Sequence, residues 1–152
     1  MKLFVIYGTL SGSTMTAGSV LAEELTKKGM EVTVGTADSV NKDQVLDADT
    51  IVFGSPSWED EGKDGQPLPE VRHLIEEFTS ADLAQKKVAI FGLGDTSYPH
   101  FCGAVDVMEG LLKERGSVPV TPSLKIDKYY SSPDNEQKVR AWAQSLATSL
   151  TA

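Results

Sequence analysis

Five short apolar runs, rich in β-branched and aromatic residues, constrain this chain most, because helical spacing separates each from the next. They are Leu3–Tyr7, Val32–Val34, Ile51–Phe53, Val88–Phe91 and a broken fifth over Val118–Ile126. Continuous rather than alternating apolar runs suit strands covered on both faces. Between the first two runs Val20, Leu21 and Leu25 form one helical stripe, and Gly29 supplies a stop. Pro67 and Pro69 open a second helix striped by Val71, Leu74, Ile75 and Phe78. Val105, Met108 and Leu112 stripe a third that ends at Gly116. Ser132-Pro133 opens the last, where Val139, Trp142, Ala143, Leu146 and Leu150 recur at helical spacing. A weaker, short helix is expected over Asn41–Ala48. Strands alternating with helices predict a three-layer α/β fold around a doubly wound, five-stranded parallel sheet.

The 152 residues read as one domain spanning 1–152, long enough to bury a substantial core. No apolar run approaches the roughly 20 residues of a membrane span. The start, Met1-Lys2-Leu3-Phe4-Val5-Ile6-Tyr7, is too short in its apolar part for a secretory signal and reads as a buried strand. Cys102 is the only cysteine, so no intrachain disulfide forms. Together these features predict a cytoplasmic protein. A formal net charge of −8 argues against nucleic acid, whose phosphates need lysine and arginine clusters. It fits a partner with a basic docking face, although acidity also serves solubility alone.

Ligands on open α/β sheets bind at the carboxyl ends of the strands. Three loops follow such ends: Gly8–Thr14, Gly54–Gln66 and Gly92–Gly103. The first, Gly8-Thr9-Leu10-Ser11-Gly12-Ser13-Thr14, offers four hydroxyls and two glycines just before a helix N-terminus. Exposed N–H groups and the helix dipole attract anions there. It lacks the lysine of a P-loop and the glycine spacing of a dinucleotide fold. These residues by themselves fit a capped, ligand-free turn as well as an anion site.

The second loop carries Gly54-Ser55-Pro56-Ser57-Trp58-Glu59-Asp60-Glu61. A tryptophan between a strand end and a run of acids suits a planar ring at the surface better than a core. The third loop is Gly92-Leu93-Gly94-Asp95-Thr96-Ser97-Tyr98-Pro99-His100-Phe101-Cys102-Gly103. Its two leading glycines suggest tight turns that aim N–H groups inward, and Tyr98 is a second strand-end aromatic.

T-L-S-G-S-T after an apolar strand, with the G-x-G-D-[ST]-S-Y-x-x-F-C-G run, resembles the short-chain flavodoxin family across essentially the whole chain. The third run is also similar to the FMN domains of diflavin reductases. The resemblance implies strand order 2-1-3-4-5 and a non-covalently bound FMN. It assigns Thr9, Leu10, Ser11, Gly12, Ser13 and Thr14 to the phosphate end, with Ser55, Pro56 and Ser57 nearby. Trp58 and Tyr98 sandwich the isoalloxazine ring, flanked by Glu59, Asp60, His100 and Phe101. Backbone groups around Gly92, Leu93, Gly94, Asp95 and Cys102 meet the pyrimidine edge of the flavin. Ser57 and the Trp58 indole also approach the phosphate. A neutral cradle holds a phosphate by hydrogen bonds alone, which favours a terminal monophosphate over a diphosphate.

The family implies a low-potential one-electron carrier, a monomer. It works between a reductase donor and a low-potential acceptor enzyme through an acidic face. Such a carrier has no substrate site of its own and no catalytic residue or metal. Three positions depart from the pattern: Pro56 replaces a usual Ser or Thr, His100 stands near an aromatic site, and Glu59 replaces a frequent glycine. In the family the peptide after residue 59, here Glu59–Asp60, flips when the flavin gains one electron.

Cys102 has no second cysteine or adjacent base and reads as inert. Two distant histidines, His73 and His100, make no metal set. Trp142 belongs to a helix stripe and reads as core. Glu59-Asp60-Glu61-Gly62-Lys63-Asp64 reads as a docking or redox-tuning segment. Rival functions fit less well. A flavin-dependent NAD(P)H or quinone reductase needs the ring face that Trp58 is expected to cover. A flavodoxin-like accessory protein would lack that tryptophan. A phosphoacceptor receiver needs acids after its first strand and an Asp ending its third. Tyr7-Gly8-Thr9 and Gly54-Ser55-Pro56 supply neither.

Overall fold

In the computed structural model, which describes residues 1–10 and 12–152, the five apolar runs become one parallel sheet. Its strands are β1 (Lys2–Tyr7), β2 (Glu31–Thr36), β3 (Thr50–Pro56), β6 (Lys87–Gly94) and β7 (Leu124–Asp127), in spatial order β2-β1-β3-β6-β7. Counting only these five, the order is 2-1-3-4-5. β1 pairs on one side with β2 (Leu3↔Val32) and on the other with β3 (Leu3↔Thr50), so the chain reverses winding direction beside β1.

Successive side chains of a strand face opposite ways, and each face has its own core. Leu3, Val5 and Tyr7 pack with Val20, Leu21 and Leu25 of α1 (Ser13–Lys27) and Val139, Trp142 and Leu146 of α6 (Asp134–Thr151). Phe4, Ile6, Ile51 and Phe53 pack with Val71, Leu74 and Ile75 of α3 (Pro69–Glu77). Val105, Met108 and Leu112 of α5 (Gly103–Glu114) complete that layer. Pro69 takes the first helical position of α3, where its missing N–H costs nothing. The short α2 (Lys42–Leu46) starts with a reciprocal Asn41–Gln44 capping box. Trp142 is core, as its spacing predicts; its indole N–H donates to the Pro122 carbonyl at 2.8 Å.

Four details differ from the sequence reading. The second loop is not irregular: β4 (Trp58–Asp60) and β5 (Lys63–Gln66) form an antiparallel hairpin. Its two turn residues, Glu61 and Gly62, both have positive φ, 51° and 82°, as hairpin geometry requires. The fifth strand occupies only the end of its expected span, because Pro119 and Pro122 interrupt the earlier part and leave an isolated bridge, Val88↔Pro119. β2 is an edge strand with Val34 exposed, so it is not covered on both faces as a continuous run implied. A further one-turn helix, α4 (Ser80–Leu83), follows α3 and starts with a Thr79–Asp82 capping box.

Candidate functional site

The three expected loops meet at the carboxyl end of the sheet and enclose a cleft of about 270 Å³. Leu10, Ser13, Pro56, Ser57, Leu93, Gly94, Asp95, Tyr98 and His100 line it, joined by Asp64, Lys128 and Tyr129. An adjoining trough of about 440 Å³ lies among Ser57, Trp58, Glu59, Asp64, Tyr98 and Pro99. Together they reach the scale of a small-cofactor site, above roughly 300 Å³.

The first loop enters α1 through Gly12, whose φ of 87° is left-handed and open to glycine at no steric cost. Its N–H donates to Thr9 Oγ1 at 2.8 Å, which closes the loop on itself. The first turn of α1 carries no acidic side chain, so the positive end of the dipole is unopposed from within the helix. Thr14 Oγ1 is buried and has no hydrogen-bond partner among the described residues. An unpaired buried hydroxyl costs about 1–3 kcal/mol, which an anion oxygen would relieve. These features fit a phosphate. Ser11 lies outside the described residues.

The second loop is tied down from both sides. The Ser57 N–H donates to the Leu93 carbonyl at 2.9 Å, and Ser57 Oγ accepts from the Ala104 N–H at 3.0 Å. Trp58 is half-buried against the α3/α5 core layer, and its indole N–H donates to the Pro67 carbonyl at 3.2 Å. That N–H is therefore turned to the chain's own backbone rather than to a phosphate. Ser55 is fully buried and satisfied: it donates to the Pro56 carbonyl and accepts from the Leu68 N–H. Its role here is structural. Asp60 pairs with Lys63 in the hairpin, and Glu59 points to solvent beside the trough.

The third loop begins differently from its reading. Gly92 and Gly94 belong to β6, and neither has a positive φ. Their lack of a side chain serves packing: a Cβ on Gly92 would run into Val105 Cγ2, and one on Gly94 would come within 2.9 Å of Cys102 N and Sγ. Beyond them Asp95 accepts from the Ser97 N–H at 2.7 Å. Hydrogen bonds from Ser97, with Lys128 nearby, hold its carboxyl below the usual range. Tyr98 is 62% exposed, free to offer a ring face. Phe101 packs against the α3/α5 layer rather than into the cleft. Cys102 is buried, with Sγ 3.7 Å from the Gly92 and Ile126 carbonyls, and burial pushes its thiol up to about 11. A buried thiol with a raised pKa fits an unreactive side chain.

Asp64, Lys128 and Tyr129 are the lining residues that sequence reading missed. Asp64 comes from β5, within the acidic segment that reads as a docking or redox-tuning element rather than as part of the cleft wall. Lys128 and Tyr129 directly follow β7, in a connection outside the three loops expected to form the site. Buried Asn135 supports that segment by donating to the carbonyls of Asp127, Lys128 and Tyr129 at 3.2, 3.1 and 3.0 Å. Among the described residues no cluster of His, Cys, Asp and Glu can hold a metal, and no helix is long and apolar enough to cross a membrane.

Comparison with known proteins places this geometry. Residues 5–142 match the family model described as Flavodoxin. The chain is 33% identical over 150 residues to a flavodoxin from Maridesulfovibrio salexigens, covering 98% of this chain and 99% of that one. It is 34% identical over 138 residues to a probable flavodoxin 2 from Bacillus subtilis, covering 90% and 87%. The crystal structure of oxidised flavodoxin 2 from Bacillus cereus superposes with a TM-score of 0.84 at 30% identity, over 97% of this chain and 99% of that one. The chain belongs to the flavodoxin family, FMN-binding electron carriers rather than enzymes.

Proposed function

We propose that this chain is a low-potential one-electron carrier that holds one FMN in the cleft and works between a reductase donor and a low-potential acceptor enzyme. The observation that carries the reading is the meeting of two features in one cleft. The acid-free start of α1 lies at one end, where Ser13 lines the cleft and the next residue, Thr14, has a buried hydroxyl unpaired among the described residues, and Trp58 and Tyr98 flank the adjoining trough.

FMN supplies one-electron chemistry when bound. The chain's residues bind, orient and bias it. Thr9 through Thr14 receive the phosphate through hydroxyls and first-turn N–H groups. Trp58 and Tyr98 hold the ring between them, with Tyr98 the more exposed of the two. Leu93, Gly94 and Asp95 face its polar edge through the end of β6. Acidic side chains around the cleft disfavour added negative charge, which lowers the potential. One charge at about 4 Å is worth about 1 kcal/mol in water and about 4 kcal/mol near a protein surface.

Glu59 and Glu61, both exposed beside this site, suit a basic partner face. Replacing both with Gln slows association with such a partner at low salt, and the difference shrinks as salt screens the steering.

The test is mass analysis of the cofactor released by acid from the purified protein. About one FMN per chain is expected, with FAD and riboflavin poor substitutes. Mainly FAD, or no flavin even after reconstitution, overturns the reading. Steady NADPH oxidation by the protein alone favours an oxidoreductase instead.

A further inference from the structure

Lys128 is the only lysine or arginine lining the cleft among the described residues. Its Nζ lies 3.9 Å from Asp95 Oδ1, and Asp64 and His100 line the same cleft. The backbone at Lys128 is left-handed, with φ 46° and ψ 69°, a conformation that disfavours any residue with a Cβ. Strain of this kind persists only where the surroundings over-determine it. Here they do. The Lys128 N–H donates to the Gly94 carbonyl at 2.8 Å, and Asn135, only 3% exposed, bonds the carbonyls of Lys128 and both its neighbours. Thr96 adds a third tie, donating its N–H and hydroxyl to the Asp127 carboxylate at 2.9 and 3.0 Å. A lysine serving solubility alone needs no such clamp. This one is held at the wall of the cofactor cleft, in a chain of net charge −8.

We propose that Lys128 is a potential-setting residue: its positive charge, carried on a clamped backbone, favours the fully reduced, anionic flavin and offsets part of the acidic field around the cleft. Asn135 is the positioning residue that holds the Lys128 backbone at the cleft wall. The proposal rests on the FMN reading above. The step concerned is addition of the second electron, taken from a donor protein or, in the test, from dithionite. No proton need accompany that electron, so the bound flavin gains one negative charge, and a nearby cation stabilises the product more than the reactant. Addition of the first electron together with a proton leaves the ring charge unchanged, so Lys128 affects that step less.

The experiment titrates the full-length, FMN-loaded protein with dithionite against reference dyes, at low and high salt. Lys128→Met, Lys128→Arg and Lys128→Gly are compared, and Kd is measured for FMN and for riboflavin. At low salt Lys128→Met is expected to disfavour the second electron about tenfold, equivalent to about 59 mV more negative for a one-electron couple. The shift contracts at high salt, and Lys128→Arg restores the wild-type potential. Lys128→Gly shifts the potential as Lys128→Met does while raising thermal stability, because it relieves the left-handed backbone. An unchanged second potential in Lys128→Met overturns the proposal. So does an equal shift in Lys128→Met and Lys128→Arg. Weaker binding of FMN but not riboflavin, with the second potential unmoved, also overturns it, since the charge then acts on the phosphate. A wild-type protein that takes up no FMN fails the carrier reading as well. One that loads FMN and matches Lys128→Met fails this proposal alone.

Discussion

The Asp64 carboxylate holds His100 at two points: Oδ2 accepts from the His100 backbone N–H at 3.2 Å and stands 3.3 Å from the ring Nδ1. This joins the β4–β5 hairpin, which carries Trp58, to the loop that carries Tyr98. It therefore sets the spacing of the two aromatic residues across the trough. Close packing supports the same seam, because a Cβ on Gly65 would come within 2.6 Å of His100 Cβ. Replacing Asp64 with Ala should loosen both loops, weaken FMN binding several-fold and leave global stability nearly unchanged, as the site is at the rim. Fluorescence titration of FMN into the apoprotein, with a parallel thermal melt, checks this. Unaltered affinity would mean that packing alone holds the seam.

Trp58 and Tyr98 differ in how much fold stability they carry. Trp58 packs on the core and bonds Pro67, whereas Tyr98 is mostly exposed. Each replacement by Ala should weaken FMN binding by about 1–3 kcal/mol, the scale of base–aromatic stacking. Only Trp58→Ala should also lower the melting temperature of the apoprotein. Trp58→Phe keeps a ring without the indole hydrogen bond and should recover most of the affinity. If both Ala variants bind FMN as tightly as the wild type, the ring is held elsewhere.

Glu59 stands in β4, beside a register shift between the Trp58 and Asp60 pairs, without a left-handed φ. If the Glu59–Asp60 peptide flips on reduction as the family resemblance implies, one of its two orientations is penalised by a Cβ by about 1 kcal/mol. Glycine removes that penalty. Glu59→Gly should therefore raise the potential for the first electron by roughly 40 mV, the one-electron equivalent of about 1 kcal/mol. Glu59→Gln keeps the Cβ and loses the charge, so it should move this couple less. Equal shifts in a spectroscopic titration would make charge, not backbone, the cause.

Arg140 of α6 reaches back to α1, with NH1 2.7 Å from Glu24 Oε1 and 3.5 Å from Glu23 Oε1. A hydrogen bond from Arg140 holds the Glu24 carboxyl below its ordinary range; Lys27 does so first for Glu23, with Arg140 second. Folded-state values below the unfolded ones mean stability that is present above the ordinary carboxylate range. It is lost as pH falls through the depressed values. Arg140→Met should therefore lower the melting temperature near neutral pH, and the gap to wild type should close in acid. Melts across that range test the sign; a gap constant with pH would assign the effect to packing.

The elements that depend on local pattern are legible in the chain alone. Apolar runs and helical stripes place β1, β3, β6 and the long helices, because burial on a sheet face or helix side imposes a period on neighbouring residues. Pro69 and Ser132-Pro133 mark helix starts for equally local reasons. The three loops were legible because a strand end followed by glycine, hydroxyls or an aromatic is unusual chemistry for a simple connection.

Other features follow from contacts that form only once the elements pack. Gly92 and Gly94 looked like turn residues, but their meaning comes from Val105 and Cys102 pressing against β6. The indole of Trp58 turns to Pro67 because the hairpin folds β5 back beside it. Asp64, Lys128 and Tyr129 reach the cleft only through the β4–β5 register and the final crossover to β7. No local period announces such residues. The left-handed lysine is a nearer case, since Asn135 stands only six to eight residues from the three consecutive carbonyls it bonds, but a single turn of this kind repeats no period that a sequence could display.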